Sequence, residues 1–460
     1  MKELKEKIAK YFQFQENKTG FGTEVRGGIV TFLAMCYILA VNPSILSASG
    51  MSADAVFVAT AISAGIATIF MGIYAKLPFA LASGMGLNAF FAYTVCIGMG
   101  YPWQFCLTAI LIEGIIFIIL SLTGVREAIF NSIPKNLRYA VSIGIGLFIA
   151  LIGLINAGII VQDMSTTVAH FNFQGGNFGS VGITVLLAII GLLITAVLVH
   201  KKIPGSLLWG ILATWFLGII CEITGLYVPN AEVGMYSLIP NFSSMANIGS
   251  VKETLLQFDF NFLKEGQFWF VLFAFLFVDI FDTLGTLTGC AIEGNMLDEK
   301  GNLPGMKKAM LADSIGTVVG SCLGASTVTT YVESSSGVAE GARTGFASVV
   351  TGLLFLLALV LSPVFLAIPS FATAPALIMV GCFMMKGSAS RIDWDDFSEA
   401  IPAFMCIIMM PFAYSIATGI AYGFVTYTFI NLLFGDRKKV NWMMIVLSII
   451  FILKFAIFGN

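Results

Sequence analysis

Five acids stand in stretches of the chain that are otherwise apolar: Glu113, Asp279, Asp282, Asp313 and Glu333. An acidic side chain at the centre of a bilayer costs about 2.5–3.5 kcal/mol on insertion scales, so each needs a reason to be there. Asp279 and Asp282 lie in Phe277-Val-Asp-Ile-Phe-Asp-Thr-Leu-Gly-Thr-Leu-Thr-Gly289. Three residues apart, they share one face of a helix. Two nearby carboxylates in low dielectric resist being ionised together, which suits the exchange of a proton. The structural alternative is that these acids bond Thr, Ser or backbone donors of a neighbouring helix.

Glu333 follows the β-branched run Thr327-Val-Thr-Thr330 and precedes Ser334-Ser-Ser-Gly337. At the start of a half-helix, free backbone N–H groups and the helix dipole favour an acceptor or an anion. A carboxylate beside such donors suits a flat heterocycle with mixed N, N–H and C=O edges. As a cap for its own helix, Glu is a poor choice beside Ser or Asp. Gly84-x-Gly86-x-x-Ala89 matches a dinucleotide fingerprint only superficially, because no βαβ unit surrounds it. Its glycines still let a ligand approach the backbone, and Asn88 carries both a donor and an acceptor. Asp313 follows Lys307 and Lys308 and sits shallower, which suits a tie to the facing broken segment. Glu113 stands among Ile and Leu with no partner evident in the sequence.

These residues need a scaffold, and composition names it. The 460 residues are 58% hydrophobic and 11% charged, with a mean hydropathy of +0.93. A soluble domain is about 25% charged. The net charge of −2 excludes the basic footprint of a nucleic-acid binder. With two histidines and no Cys-x-x-Cys, there is no metal spacing, and no cofactor is expected. The eight cysteines lie in apolar stretches and read as small buried thiols. No nucleophile, base and orienting acid occur as a set, so an enzyme is not expected. The expected class is a polytopic, all-α membrane protein in the lipid bilayer.

Apolar segments fall at 27–47, 55–75, 78–97, 103–123, 137–160, 180–199, 204–227, 268–291, 308–325, 326–339, 345–368, 371–387, 399–413 and 415–435. A further run covers 440–458, either along the cytoplasmic interface or crossing once more. With a cytoplasmic N-terminus and fourteen crossings, 21 of the 24 Lys and Arg residues fall inside. Only Lys252 and Lys264 fall outside, as the positive-inside rule requires, and Lys454 lies in the terminal run. Residues 1–26 read as a cytoplasmic segment with a short amphipathic helix. The third and tenth segments look like strands leading into half-helices, through Pro78 and Gly84 in one and Thr327–Thr330 in the other. Asn88 and Glu333 stand 245 residues apart, near half the chain. Seven spans per half place the second copy upside down, an inverted repeat whose broken segments point to a transporter site at the midplane. Gly316, Gly320 and Gly324 form a close-packing face that would let the ninth segment lie against the eighth or tenth.

The chain resembles the nucleobase–cation symporter-2 superfamily, in particular its azaguanine-type purine permeases. The resemblance rests on Thr31-Phe-Leu-Ala-Met-Cys-Tyr-Ile-Leu-Ala-Val-Asn-Pro43, Ser83-Gly-Met-Gly-Leu-Asn-Ala-Phe-Phe91, Phe281-Asp-Thr-Leu-Gly-Thr-Leu-Thr-Gly289 and Thr329-Thr-Tyr-Val-Glu-Ser-Ser-Ser-Gly-Val-Ala-Glu-Gly-Ala-Arg-Thr-Gly345. It implies fourteen segments in a seven-plus-seven inverted repeat. A core domain would comprise 27–123 and 268–368, and a gate domain 124–227 and 369–435. Residues 228–267 would join the halves outside, and 436–460 would close the chain. It implies that Asn88, Gly86, Asp279 and Glu333 contact a purine nucleobase, with Asp282 and Asp313 in support. The uracil- and xanthine-type branches carry a glutamate where this chain has Asp279. The implied activity is proton-coupled purine import across the cytoplasmic membrane by alternating access, with a homodimer formed through the gate. An anion transporter of the same fold and a cation channel are the alternatives.

Overall fold

In a medium without water only a helix satisfies its backbone within one segment, and the long Leu-, Ile-, Phe- and Ala-rich runs comply. The computed structural model describes residues 2–123, 133–163, 167–174, 178–230, 235–239, 248–298 and 303–458. Among these, ten helices are long and apolar enough to cross a membrane. The putting of Arg126 and Lys300 on the cytoplasmic side concerns positions outside the described residues, as does the domain boundary at 123/124.

A polar helix α1 (Lys2–Tyr11) precedes α2 (Phe21–Met35) and α3 (Ile38–Leu46), which form one interrupted rod. Its bonding tightens at Cys36 and Tyr37, with Leu39 N–H on Cys36 O and Ala40 N–H on Tyr37 O, ahead of Pro43. Then come α4 (Ala53–Phe70), β1 (Leu81–Ser83), α5 (Met85–Ala89) and α6 (Trp103–Thr123). Helix α5 continues over Phe90–Gly98 in wider i→i+5 turns. Next are α7 (Lys135–Asn156), the hairpin strands β2 (Ile160–Asp163) and β3 (Thr167–His170), α8 (Ile183–His200) and α9 (Ser206–Ile223). The second half holds α10 (Gly266–Glu293), α11 (Met306–Leu323), β4 (Val328–Thr330), α12 (Ser334–Ala339), α13 (Gly345–Leu357) and α14 (Ser362–Leu366). It ends with α15 (Ser370–Ala389), α16 (Phe397–Phe412), α17 (Ile416–Leu433) and α18 (Trp442–Phe458).

Small residues set the helix contacts, because lipid leaves little hydrophobic drive between helices. Along the seam between α4 with its extension and α13, Gly65 meets Gly352 and Gly72 meets Gly345. A Cβ on Gly345 would land on Gly72 O. Gly146 of α7 and Gly381 of α15 meet in the same way. The expected glycine face of α11 packs against α4 and β4 rather than α10: Gly316 faces Ala67 and Val328, and Gly320 faces Val328. Gly324 does a different job, ending α11 at φ +91°.

Helix α18 packs beside α17, with Ser448 Oγ donating to Phe424 O (3.1 Å) and Phe451 against Phe273 of α10. Two expectations change. The thiols are not uniformly buried, since Cys382 is exposed and Cys96, Cys221 and Cys322 are half-buried. The hairpin β2–β3 adds strands outside the helical pattern, its backbone being free to pair beyond the apolar runs.

Candidate functional site

A sheet edge inside a membrane protein has no water to bond, so every outward N–H and C=O needs a protein partner. Strands β1 and β4 pair antiparallel, with Leu81 opposite Thr330, Ala82 opposite Thr329 and Ser83 opposite Val328. Gly84 N–H donates to Thr327 O (2.9 Å) and Tyr331 N–H to Ala80 O (3.0 Å), extending the ladder at both ends. On the outer edge of β1, the Thr68 hydroxyl of α4 donates to Leu81 O and accepts from Leu81 N–H, both at 2.9 Å. On the outer edge of β4, Thr317 Oγ1 of α11 donates to Val328 O (2.9 Å). Asp313 Oδ1 accepts from Thr330 N–H (3.1 Å). The two broken segments thus meet back to back, each tied by one helix.

Glu333 sits one turn beyond β4 and is only 9% exposed. Tyr37, wholly buried at the interruption of the first rod, donates its phenol to Glu333 Oε1 at 2.6 Å. The open backbone donors expected at Glu333 are in use: Ser334, Ser335 and Ser336 N–H donate to Tyr331, Val332 and Glu333 carbonyls. Glu333 itself has helical dihedrals, and α12 spans only six residues. The Tyr37 side chain, beside the backbone N–H of Glu333 itself, is therefore the donor that the fold brings to this carboxylate.

The other acids converge through one hydroxyl. Thr283 Oγ1 of α10 stands 3.0 Å from Asp279 Oδ1, 2.9 Å from Asp313 Oδ2 and 3.0 Å from Thr329 Oγ1. Asp279, Asp313 and Thr283 are fully buried. Asp282, half-buried, faces the backbone at Gly84 and lies within electrostatic reach of Asp313 and Glu333. The pair expected on one face of α10 is therefore divided: Asp279 joins Asp313 through Thr283, while Asp282 turns to the start of α5.

The sequence pattern of the permease family matches residues 22–422. The chain belongs to this family, the nucleobase–cation symporter-2 group. It is 48% identical to a putative permease of Methanocaldococcus jannaschii, over 98% of each chain. It is 44% identical to a guanine/hypoxanthine permease of Bacillus subtilis, over 97% of this chain and 98% of the relative. It is 42% identical to an adenine permease of Escherichia coli, over 97% and 95%. Among solved structures, the transmembrane domain of a cyanobacterial bicarbonate transporter superposes with a TM-score of 0.59 at 14% identity. That match covers 86% of this chain and 97% of that one. Murine solute carrier 26 member A9, an anion transporter, gives 0.60 at 11%, over 88% and 68%. The likeness extends to fold alone. The permease is a multi-pass membrane transporter and not an enzyme.

In this permease Asn88 belongs to a buried amide chain. Its Nδ2 donates to Asn42 Oδ1 (2.7 Å), Asn42 Nδ2 donates to Thr60 Oγ1 (2.7 Å), and Ser83 Oγ reaches Asn88 Oδ1 (3.1 Å). Tyr331 OH donates to Ser83 O, linking this chain to the acid side. Gly86 faces Ile145 of α7, 2.8 Å from where a Cβ would stand. Glu113, without an evident partner in the sequence, receives the Thr327 hydroxyl at 3.2 Å just before β4. Sequence reasoning missed Tyr37, Asn42, Thr68, Thr283 and Thr317. A Tyr or Thr in an apolar helix carries no signal of its own, although Tyr37 and Asn42 both lie in the first motif.

Proposed function

We propose that this permease imports purine nucleobases with a proton by alternating access. Guanine and hypoxanthine, and adenine beside them, are the substrate class, in keeping with the names of its relatives. The observation that carries this reading is the convergence of Glu333, Asp279, Asp282 and Asp313 where the two broken segments meet, beside Asn88 and its amide neighbours. Acids that each cost a few kcal/mol to place there are accounted for by a ligand rich in N–H groups. Glu333 and Asp279 accept from the purine edge, Asn88 completes the site, and Gly86 lets the ring approach the backbone. The Thr283 hydroxyl has one proton and two carboxyl oxygens within 3.0 Å. A proton on one of the acids completes that set, and Asp279 or Asp282, supported by Asp313, exchanges it.

The same reading takes the chain as fourteen segments in two inverted halves, N-terminus in the cytoplasm, in the cytoplasmic membrane. Thr68 and Thr317 support this: each ties the outer edge of one strand from the helix before it. Residues 27–123 and 268–368 form the core and 124–227 with 369–435 the gate, which pairs two copies as a dimer. Uptake of labelled guanine, hypoxanthine and adenine by cells expressing the protein tests the function. Accumulation of none of them refutes it. Glu333→Gln is expected to abolish uptake at unchanged membrane levels, and normal uptake would remove Glu333 from the site.

A further inference from the structure

The Tyr37–Glu333 contact asks what a buried phenol adds to a carboxylate already held one turn past a strand. We propose that Tyr37 is a positioning residue for the substrate: by holding Glu333 Oε1, it fixes the direction in which the carboxylate is presented to an N–H of the bound nucleobase. This rests on the function proposed above and names a residue of the same site.

The argument is geometric. Tyr37 is fully buried, so its hydroxyl has no water to bond, and its contact with Glu333 Oε1 at 2.6 Å is in the short range of charge-assisted bonds. A phenol O–H in this arrangement donates, and the carboxylate oxygen accepts. The donor comes from the first rod at its interruption, 296 residues away in the chain, so its position is set by the fold and not by the loop that carries Glu333. A free carboxylate rotates and offers either oxygen. One pinned by a rigid aromatic offers its remaining lone pairs in fixed directions. Orientation of this kind is gained before the ligand arrives, which lowers the cost of binding. Tyr331, only 5% exposed, does the corresponding job on the strand side by donating to Ser83 O. Two tyrosines thus lock the ends of the short segment that carries Glu333.

The consequence is a coupling between Tyr37 and one N–H of the ligand, transmitted through Glu333. It is measurable as a cycle of a protein variant against a ligand variant. The probes are hypoxanthine and its 1-, 3-, 7- and 9-methyl derivatives, tested as competitors of labelled hypoxanthine uptake in cells expressing wild-type or Tyr37→Phe protein at matched membrane levels. In the wild type, the methyl derivative that blocks the Glu333 contact is expected to compete at least ~10-fold more weakly than hypoxanthine. In Tyr37→Phe, hypoxanthine itself weakens by ~10-fold, equivalent to about 1.4 kcal/mol. The penalty for that one methyl group shrinks towards unity, and the other methyl derivatives keep their wild-type ratios.

A merely structural Tyr37 would weaken hypoxanthine and every derivative by the same factor, and that result overturns the proposal while leaving the function standing. Absence of purine uptake by the wild type overturns both. If Tyr37→Phe does not reach the membrane, 3-fluorotyrosine at position 37 keeps the ring and sharpens the donor. It is then expected to enlarge the same methyl penalty, and an unchanged penalty counts against the proposal.

Discussion

Thr68→Val removes one hydroxyl and keeps the shape of the side chain. In the structure that hydroxyl serves both outward groups of Leu81, at 2.9 Å each, where β1 is fully buried. Loss of a partner for a buried polar group costs about 1–3 kcal/mol, so two stranded groups, partly relieved by local shifts, cost about 2–4 kcal/mol. Thr317→Val is the matched control. It strands only the Val328 carbonyl, since Thr330 N–H keeps Asp313, and costs about 1–2 kcal/mol. Ordinary hydrogen bonds between membrane helices average only ~0.6 kcal/mol, because the unfolded chain in lipid also finds partners. The strand edge should exceed that value, as a fixed extended backbone has fewer alternatives than a side chain. The assay is denaturant unfolding of purified protein in lipid or detergent micelles, read by tryptophan fluorescence and backed by thermal inactivation. Thr68→Val is expected to shift the unfolding equilibrium ~10-fold more than Thr317→Val. Equal effects, or a loss below ~0.5 kcal/mol in both, would refute the claim that these hydroxyls carry the sheet edges.

Gly345→Ala drives a methyl onto Gly72 O, backbone against backbone, so the α4–α13 seam must open and stability should fall by about 1–3 kcal/mol. Gly285→Ala, with no neighbour within 4 Å of its Cβ, is the comparison that should leave stability unchanged in the same unfolding assay. At the junction between α16 and α18, the Lys439 ammonium hydrogen-bonded at 2.8 Å holds the Asp396 carboxyl down at about 2. A depressed carboxylate stabilises the fold above its ordinary range near 3.8 and loses that contribution as pH falls towards 2. Both side chains are more than a third exposed, so Lys439→Ala should cost under ~1 kcal/mol at pH 7 and only a small part of that near pH 2. Thermal midpoints across that range, at low and high salt, check it.

The helices were legible because period and hydrophobicity act within one segment. The breaks at Pro78, Gly84 and Thr327–Thr330 were legible for a similar local reason: glycine, proline and β-branched residues disfavour a continuing helix. Helix α5 starts at Met85, directly after Gly84. Pairing is another matter. That Thr68 serves Leu81 follows from the packing of α4 on β1, and that Tyr37 serves Glu333 depends on two halves folding together. Nothing in the spacing of residues 37 and 333 encodes it. The acids stood out one by one, since each is costly alone, whereas their division between Thr283 and Gly84 depends on which way α10 is turned. The open N–H groups imagined at Glu333 failed for a local reason instead: the turn from Tyr331 to Ser336 uses them itself.

The superposed carriers pose a sharper question, because one is a bicarbonate transporter and another an anion transporter, yet this permease shares their fold. A fold of this kind supplies a place where two broken segments meet; the side chains there decide the sign of the cargo's partner groups. An anion needs donors or positive charge at that place. Here the place is lined by Asp279, Asp282, Asp313 and Glu333. Arg343, the basic residue closest in sequence to α12, bends its guanidinium back to Val338 O (2.6 Å) and Ala342 O (2.8 Å). Its backbone N–H is held by buried Glu24 at 2.9 Å. The cation is thus employed in closing the end of α12, away from the carboxylates, and the acids keep their acceptor character. A neutral heterocycle with several N–H groups fits that lining, and a small anion does not.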